Sequence, residues 1–96
     1  MNEKTLIRHL IWMCRNMPNR EDNPYKWNRW LGFVQGGCVS LGMASIEQFM
    51  AVNKRSLNEG LTFAATQIRN RAETLFGPNI PFLSLAERAV KEGGLP

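Results

Sequence analysis

Residues 27–42, Trp-Asn-Arg-Trp-Leu-Gly-Phe-Val-Gln-Gly-Gly-Cys-Val-Ser-Leu-Gly, constrain the fold of this chain more than any other stretch. Trp27, Trp30, Leu31, Val34, Cys38 and Leu41 recur at spacings of three, four and seven, the signature of one helical face turned to a core. Gly32, Gly36 and Gly37 interrupt the helix, each at a cost of roughly 1 kcal/mol relative to alanine. Such a cost is tolerated where something needs a helix surface without side chains, so another helix backbone is expected to cross at Gly32 and Gly36.

The rest of the chain reads as further helices. Leu6, Ile7, Leu10, Ile11, Met13, Cys14 and Met17 form a broad stripe that predicts a first helix over residues 2–17, capped by Asn2 and ended by Pro18. Residues 18–24 are turn chemistry. Asn23 followed by Pro24 is a start signal, because proline at the first helical position lacks an N–H that would be orphaned there. The second helix is predicted over about residues 24–41, with Gly42 as its stop. Ser45-Ile46-Glu47-Gln48 has the spacing of a capping box and opens a third helix, with Ile46, Phe49, Met50 and Leu57 as expected core residues and Lys54 and Arg55 outside. Ser56, Asn58 and Gly60 predict a break or kink before a fourth helix carrying Leu61, Ala64, Ala65, Ile68, Ala72, Leu75 and Phe76, which Gly77-Pro78 ends. Residues 79–83 are expected to be extended. Ser84-Leu85-Ala86-Glu87 is a second capping box and opens a short C-terminal helix to about Glu92. The expected architecture is all-α, a single domain over residues 1–96 built as a compact bundle of four main helices plus the short C-terminal one.

No catalytic constellation is present. The chain holds one histidine, His9, and two cysteines, Cys14 and Cys38, and contains no Cys-x-x-Cys, no His-Glu-x-x-His and no phosphate loop of the right form. Both cysteines fall on apolar helical faces and read as buried free thiols, and with His9 they are too few for a metal site. The expectation is a non-enzymatic protein without cofactor or metal. No apolar run approaches the roughly 18 residues of a membrane span, and the N-terminal stretch lacks the form of a signal peptide, so no membrane partner and a cytosolic location are expected. At 96 residues the chain buries only a modest fraction of its surface, so marginal stability or a homo-oligomer, simplest as a dimer, is expected.

Net charge is +4 at pH 7, with the excess in the first half of the chain. Nucleic acid is therefore a possible partner. Its most specific form is a helix-turn-helix over residues 33–54, with Gly42-Met43-Ala44 as the turn and residues 45–55 as the reading helix. Against it, Val39 stands where a small residue normally lets the two helices approach, and Lys54-Arg55 lie at the far end of the reading helix. Base stacking by Trp27, Trp30 and Phe33 is the related idea. Helical spacing assigns the tryptophans to the core and leaves Phe33 off the stripe, as a contact surface.

The run Asn28-Arg29-Trp30-Leu31-Gly32-Phe33-Val34-Gln35-Gly36, followed by Ser45-Ile46-Glu47 and Asn53-Lys54-Arg55, resembles a group of small accessory proteins of tailed bacteriophages and prophages. Those proteins share an Arg-Trp-Leu-Gly-x-x-Gln-Gly helix and a second capped helix with Asn and a basic residue near its end. The resemblance implies a helical phage protein acting in the host cytoplasm. Joined to the missing catalytic chemistry, it implies one that binds a bacterial host protein and inhibits or redirects it, counter-defence included. The partner-binding residues expected on that reading are Arg20, Glu21 and Asp22 in the first loop, Lys26, Arg29 and Phe33 beside the second helix, and Lys54 and Arg55. The alternative function is the small helix-turn-helix-like DNA-binding regulator. Gln35 could bond across a helix crossing or reach a partner, and the sequence leaves both roles open.

Overall fold

The computed structural model describes residues 2–77. Within them the chain forms four helices, α1 (Glu3–Arg15), α2 (Pro24–Ser40), α3 (Ile46–Arg55) and α4 (Leu57–Phe76), and no strand. The predicted extended segment over 79–83 and the helix opening at Ser84 lie outside the described residues. Each start has a chemical cause. Asn2 Oδ1 accepts from the Thr5 N–H at 2.8 Å, and Asn23 Oδ1 accepts from the Lys26 N–H at 3.1 Å beside Pro24. At α3 both halves of the capping box are made: the Gln48 N–H donates to Ser45 Oγ and the Ser45 N–H donates to Gln48 Oε1. The stops are equally local. Gly42 (φ +72°) follows α2 and Gly77 (φ +89°) caps α4, both in the left-handed region where glycine has no side chain to clash.

The expected break between the third and fourth helices is a single residue. Ser56, in extended conformation, closes α3 and caps α4, its Oγ accepting from the Glu59 N–H. Asn58 and Gly60, expected in the break, are inside α4.

Although residues 27–42 dominate the sequence, α4 is the helix on which the other three pack. Its inward face, Gly60, Leu61, Ala64, Ala65, Ile68 and Ala72, is mostly small, so three helices can approach one axis closely. Around it lie Ile7, Leu10, Ile11 and Cys14 of α1, Trp27, Leu31, Val34 and Cys38 of α2, and Phe49 of α3. At the far end of the bundle Glu3 pairs with Arg71 and Arg8 stacks over the Phe76 ring, 4.7 Å from its centroid, which ties the start of α1 to the end of α4.

Both cysteines are free and buried as expected. Burial pushes the Cys14 thiol from 9.0 up to about 12, with Cys38 adding to the shift, and burial does the same to Cys38. The native state therefore holds its thiol protons while the unfolded chain loses them above pH 9. The stability this contributes is whole below that value and is lost as pH rises toward about 12. The urea midpoint should fall between pH ~8 and pH ~10.5 by more than in a Cys14→Ala/Cys38→Ala protein, and a thiol reagent should label neither cysteine before unfolding.

Candidate functional site

The close approaches in this bundle occur at other glycines than those expected. A Cβ built on Gly32 or on Gly36 meets no atom within 4 Å, so no helix crosses there. On Gly37 it would come within 2.9 Å of the Leu10 side chain, and on Gly60 within 1.8 Å of Asn53 Oδ1 and 2.8 Å of Gln35 Nε2. Helix geometry explains the difference. At about 100° per residue, Gly36 lies on the side of α2 opposite Trp27 and Val34, facing outward.

What Gly32 and Gly36 do form is one side of a groove between α2 and α3. These two helices make little direct backbone contact, because α3 packs on α4 instead. The groove has a volume of about 390 Å³ and is lined by Gly32, Gly36, Val39 and Ser40 of α2 and by Ile46, Phe49 and Met50 of α3, with Gln35 and Asn53 joining the two sides. Ile46 and Met50 were expected in the core. They are 60 % and 66 % exposed, because α3 turns Phe49, Val52 and Asn53 inward and leaves the other edge of its apolar stripe in water.

Gln35 and Asn53 make a reciprocal amide pair across the groove floor. Gln35 Nε2 donates to Asn53 Oδ1 and Asn53 Nδ2 donates to Gln35 Oε1, both at 2.8 Å. Of the two roles open to Gln35, the structure shows the bond across a helix boundary. The pair fixes α3 against α2 where the helices otherwise stand apart, and Gly60 of α4 gives it room.

Next to the groove, Phe33 is 51 % exposed and takes His9 edge-on at 5.8 Å; His9 stacks on Trp12 at 6.0 Å, and Trp12 tilts against Trp30 at 5.8 Å. Lys26 lies over Trp30 and Arg29 over Tyr25, 5.4 and 5.5 Å from the ring centroids. The structure thus brings Lys26, Arg29 and Phe33 together on the outward side of α2. The other expected residues lie in the first loop and at the end of α3. Arg20 covers the buried Trp27 ring at 4.7 Å and donates to Asn58 Oδ1 at 3.4 Å, a structural use. The exposed Glu21 and Asp22 sit in a turn whose N–H groups donate to Asn19 Oδ1. Lys54 and Arg55 are exposed at the end of α3, where Arg55 pairs with Glu59 at 2.9 Å.

A reading helix would need polar and basic groups on its free side. The free side of α3 carries Gln48, Lys54 and Arg55 of that kind, together with Ile46, Met50 and Glu47. Among the described residues no group of three or more His, Cys, Asp or Glu could hold a metal ion, and no helix is long and apolar enough to cross a membrane.

The open space over Gly32 and Gly36 has a thermodynamic consequence. Gly32→Ala and Gly36→Ala should each raise stability, by about 0.5–1 kcal/mol, since alanine meets nothing and removes glycine's backbone entropy cost. A rise in the thermal midpoint of the dilute, monomeric chain checks this; a fall would mean that something inside the fold occupies the space. No family model, no curated protein and no solved structure matches this chain.

Proposed function

We propose that the chain is a non-catalytic protein-docking module whose working surface is the α2–α3 groove with its rim of Phe33, Ile46 and Met50. The observation that carries this reading is the pairing of two outward glycines with large exposed apolar side chains beside them. Glycine in a helix costs stability, and so do large apolar groups in water. Both costs are recovered when an apolar segment lies on the bare helix surface. The channel along Gly32, Gly36 and Ser40 spans about 12 Å of helix axis, close to two turns, which suits an amphipathic helix seated by residues at i, i+3 or i+4, and i+7. In the setting that the phage resemblance implies, such a module works by occupying a surface of a bacterial host protein and inhibiting or redirecting it.

The test is to pass bacterial lysate over the tagged protein and over an Ile46→Asp/Met50→Asp variant, with and without nuclease. A stoichiometric host protein should be retained with nuclease present and lost on the variant. Both positions are exposed, so the variant should keep its helical circular dichroism. Retention of nucleic acid alone, abolished by nuclease and unaffected by the variant, would overturn the docking reading in favour of DNA binding.

A further inference from the structure

We propose that the segment lying on the α2–α3 groove is the α2 helix of a second copy of this chain, the two α2 helices crossing antiparallel at Gly32 and Gly36 in a twofold dimer. This rests on the docking reading above: the second copy holds the groove when no host protein does, the two being mutually exclusive occupants of one surface.

Shape is the first reason. A twofold interface must be self-complementary, every projection on one copy meeting a recess on the other. The outward side of α2 carries both: Phe33 projects, while Gly36, one turn away, is bare and backed by Met50. Antiparallel pairing of Gly32 with the other copy's Gly36 sets each Phe33 against the opposite groove.

Charge is the second reason. The first turn of α2 contains no acid and does contain Lys26, with Arg29 one turn on, and its last turn contains no base. Within the helix the positive end thus carries positive charge, with Glu21 and Asp22 in the turn before the cap, and the negative end is uncompensated. In an antiparallel crossing, Lys26 and Arg29 of each copy lie toward the carboxyl end of the other's α2 and toward Glu47, which opens α3. Each copy supplies the charge that the other lacks.

Area is the third. The exposed parts of Tyr25, Phe33, Ile46 and Met50 alone amount to roughly 500 Å², more than half of the ~800 Å² per partner of a standard interface.

The experiment is sedimentation equilibrium of the full chain from ~5 to ~500 µM. The expected result is a dimer of the 11.0 kDa chain. Gly36→Leu should weaken association at least ~50-fold while the thermal midpoint of the dilute, monomeric chain holds or rises, since nothing within 4 Å of that Cβ opposes it inside the fold. Arg29→Glu should weaken it about 10-fold, and Arg29→Glu/Glu47→Arg should restore it. Several results would overturn the proposal: a wild-type monomer at the highest concentration, a Gly36→Leu protein that remains dimeric, or failure of the charge exchange to restore association. A wild-type monomer that still retains a host protein through Ile46 and Met50 would retire the second copy and leave the docking reading standing. A dimer indifferent to both Gly36→Leu and Met50→Asp, with no retained host protein, would overturn both.

Discussion

Gly60→Ala should destabilise the protein by about 2–4 kcal/mol, although alanine is the better helix former by up to ~1 kcal/mol. The new methyl would lie 1.8 Å from Asn53 Oδ1 and 2.8 Å from Gln35 Nε2. Neither atom is a free end that can swing away, because each is locked by the reciprocal 2.8 Å bonds of the amide pair. Either the pair breaks and leaves half-buried donors and acceptors unmatched, or α4 withdraws from α3 and opens the core at Phe49 and Leu61. Both are large against the ~5–10 kcal/mol total of a small domain. The effect should be non-additive. In an Asn53→Ala background the obstructing oxygen is absent, so the same substitution should cost less than ~1 kcal/mol. Urea denaturation of the four proteins of that cycle measures the coupling, and equal costs in both backgrounds would show that the amide pair is not what Gly60 accommodates.

Trp27→Ala should cost about 3–5 kcal/mol and leave the protein close to unfolded at room temperature. Trp27 is the largest fully buried side chain and sits under the Arg20 guanidinium, so its loss opens a cavity in α2 and strands the first loop. Trp27→Phe should be far milder, about 1–2 kcal/mol. It keeps a ring for Arg20 to cover, and it removes an indole Nε1 that has no hydrogen-bond partner among the described residues. Denaturation followed by circular dichroism separates the two; a Trp27→Ala protein within ~1 kcal/mol of the parent would mean that this ring does not anchor the core.

The helices were legible because their causes are local. Asn2, Asn23-Pro24, the Ser45–Gln48 box, Gly42 and Gly77 act within three or four residues of where they stand, and each performs the cap or stop its chemistry predicts. The groove was not legible, for two reasons of different kind. The outward side of Gly32 and Gly36 could have been found by counting round the helix from Val34, which places Gly36 on the far side of α2; the interruption along the sequence hid this. The exposure of Ile46 and Met50 could not have been found that way. Their spacing fits a buried stripe as well as Phe49 does, and only the way α3 settles on α4 decides which edge of that stripe meets water. Gln35 and Asn53 lie 18 residues apart, and nothing local pairs them. Gly60 was misplaced into a break because glycine in a helix ordinarily signals one, whereas here it serves a contact made by two other helices.

Ser56 sets a limit on how this chain can be altered. As the sole residue between α3 and α4 it leaves no slack, so an extra residue taken into the start of α4 would turn the rest of that helix by about 100° relative to α3 and advance it by about 1.5 Å. That rotation would carry Gly60 away from Asn53 and swing Leu61 and Ala64 out of line with Phe49. Among the described residues, length variation is therefore better absorbed in the loops over residues 18–23 and 41–45, which lie outside the helices, and the joint at Ser56 behaves as a reading frame for the whole bundle.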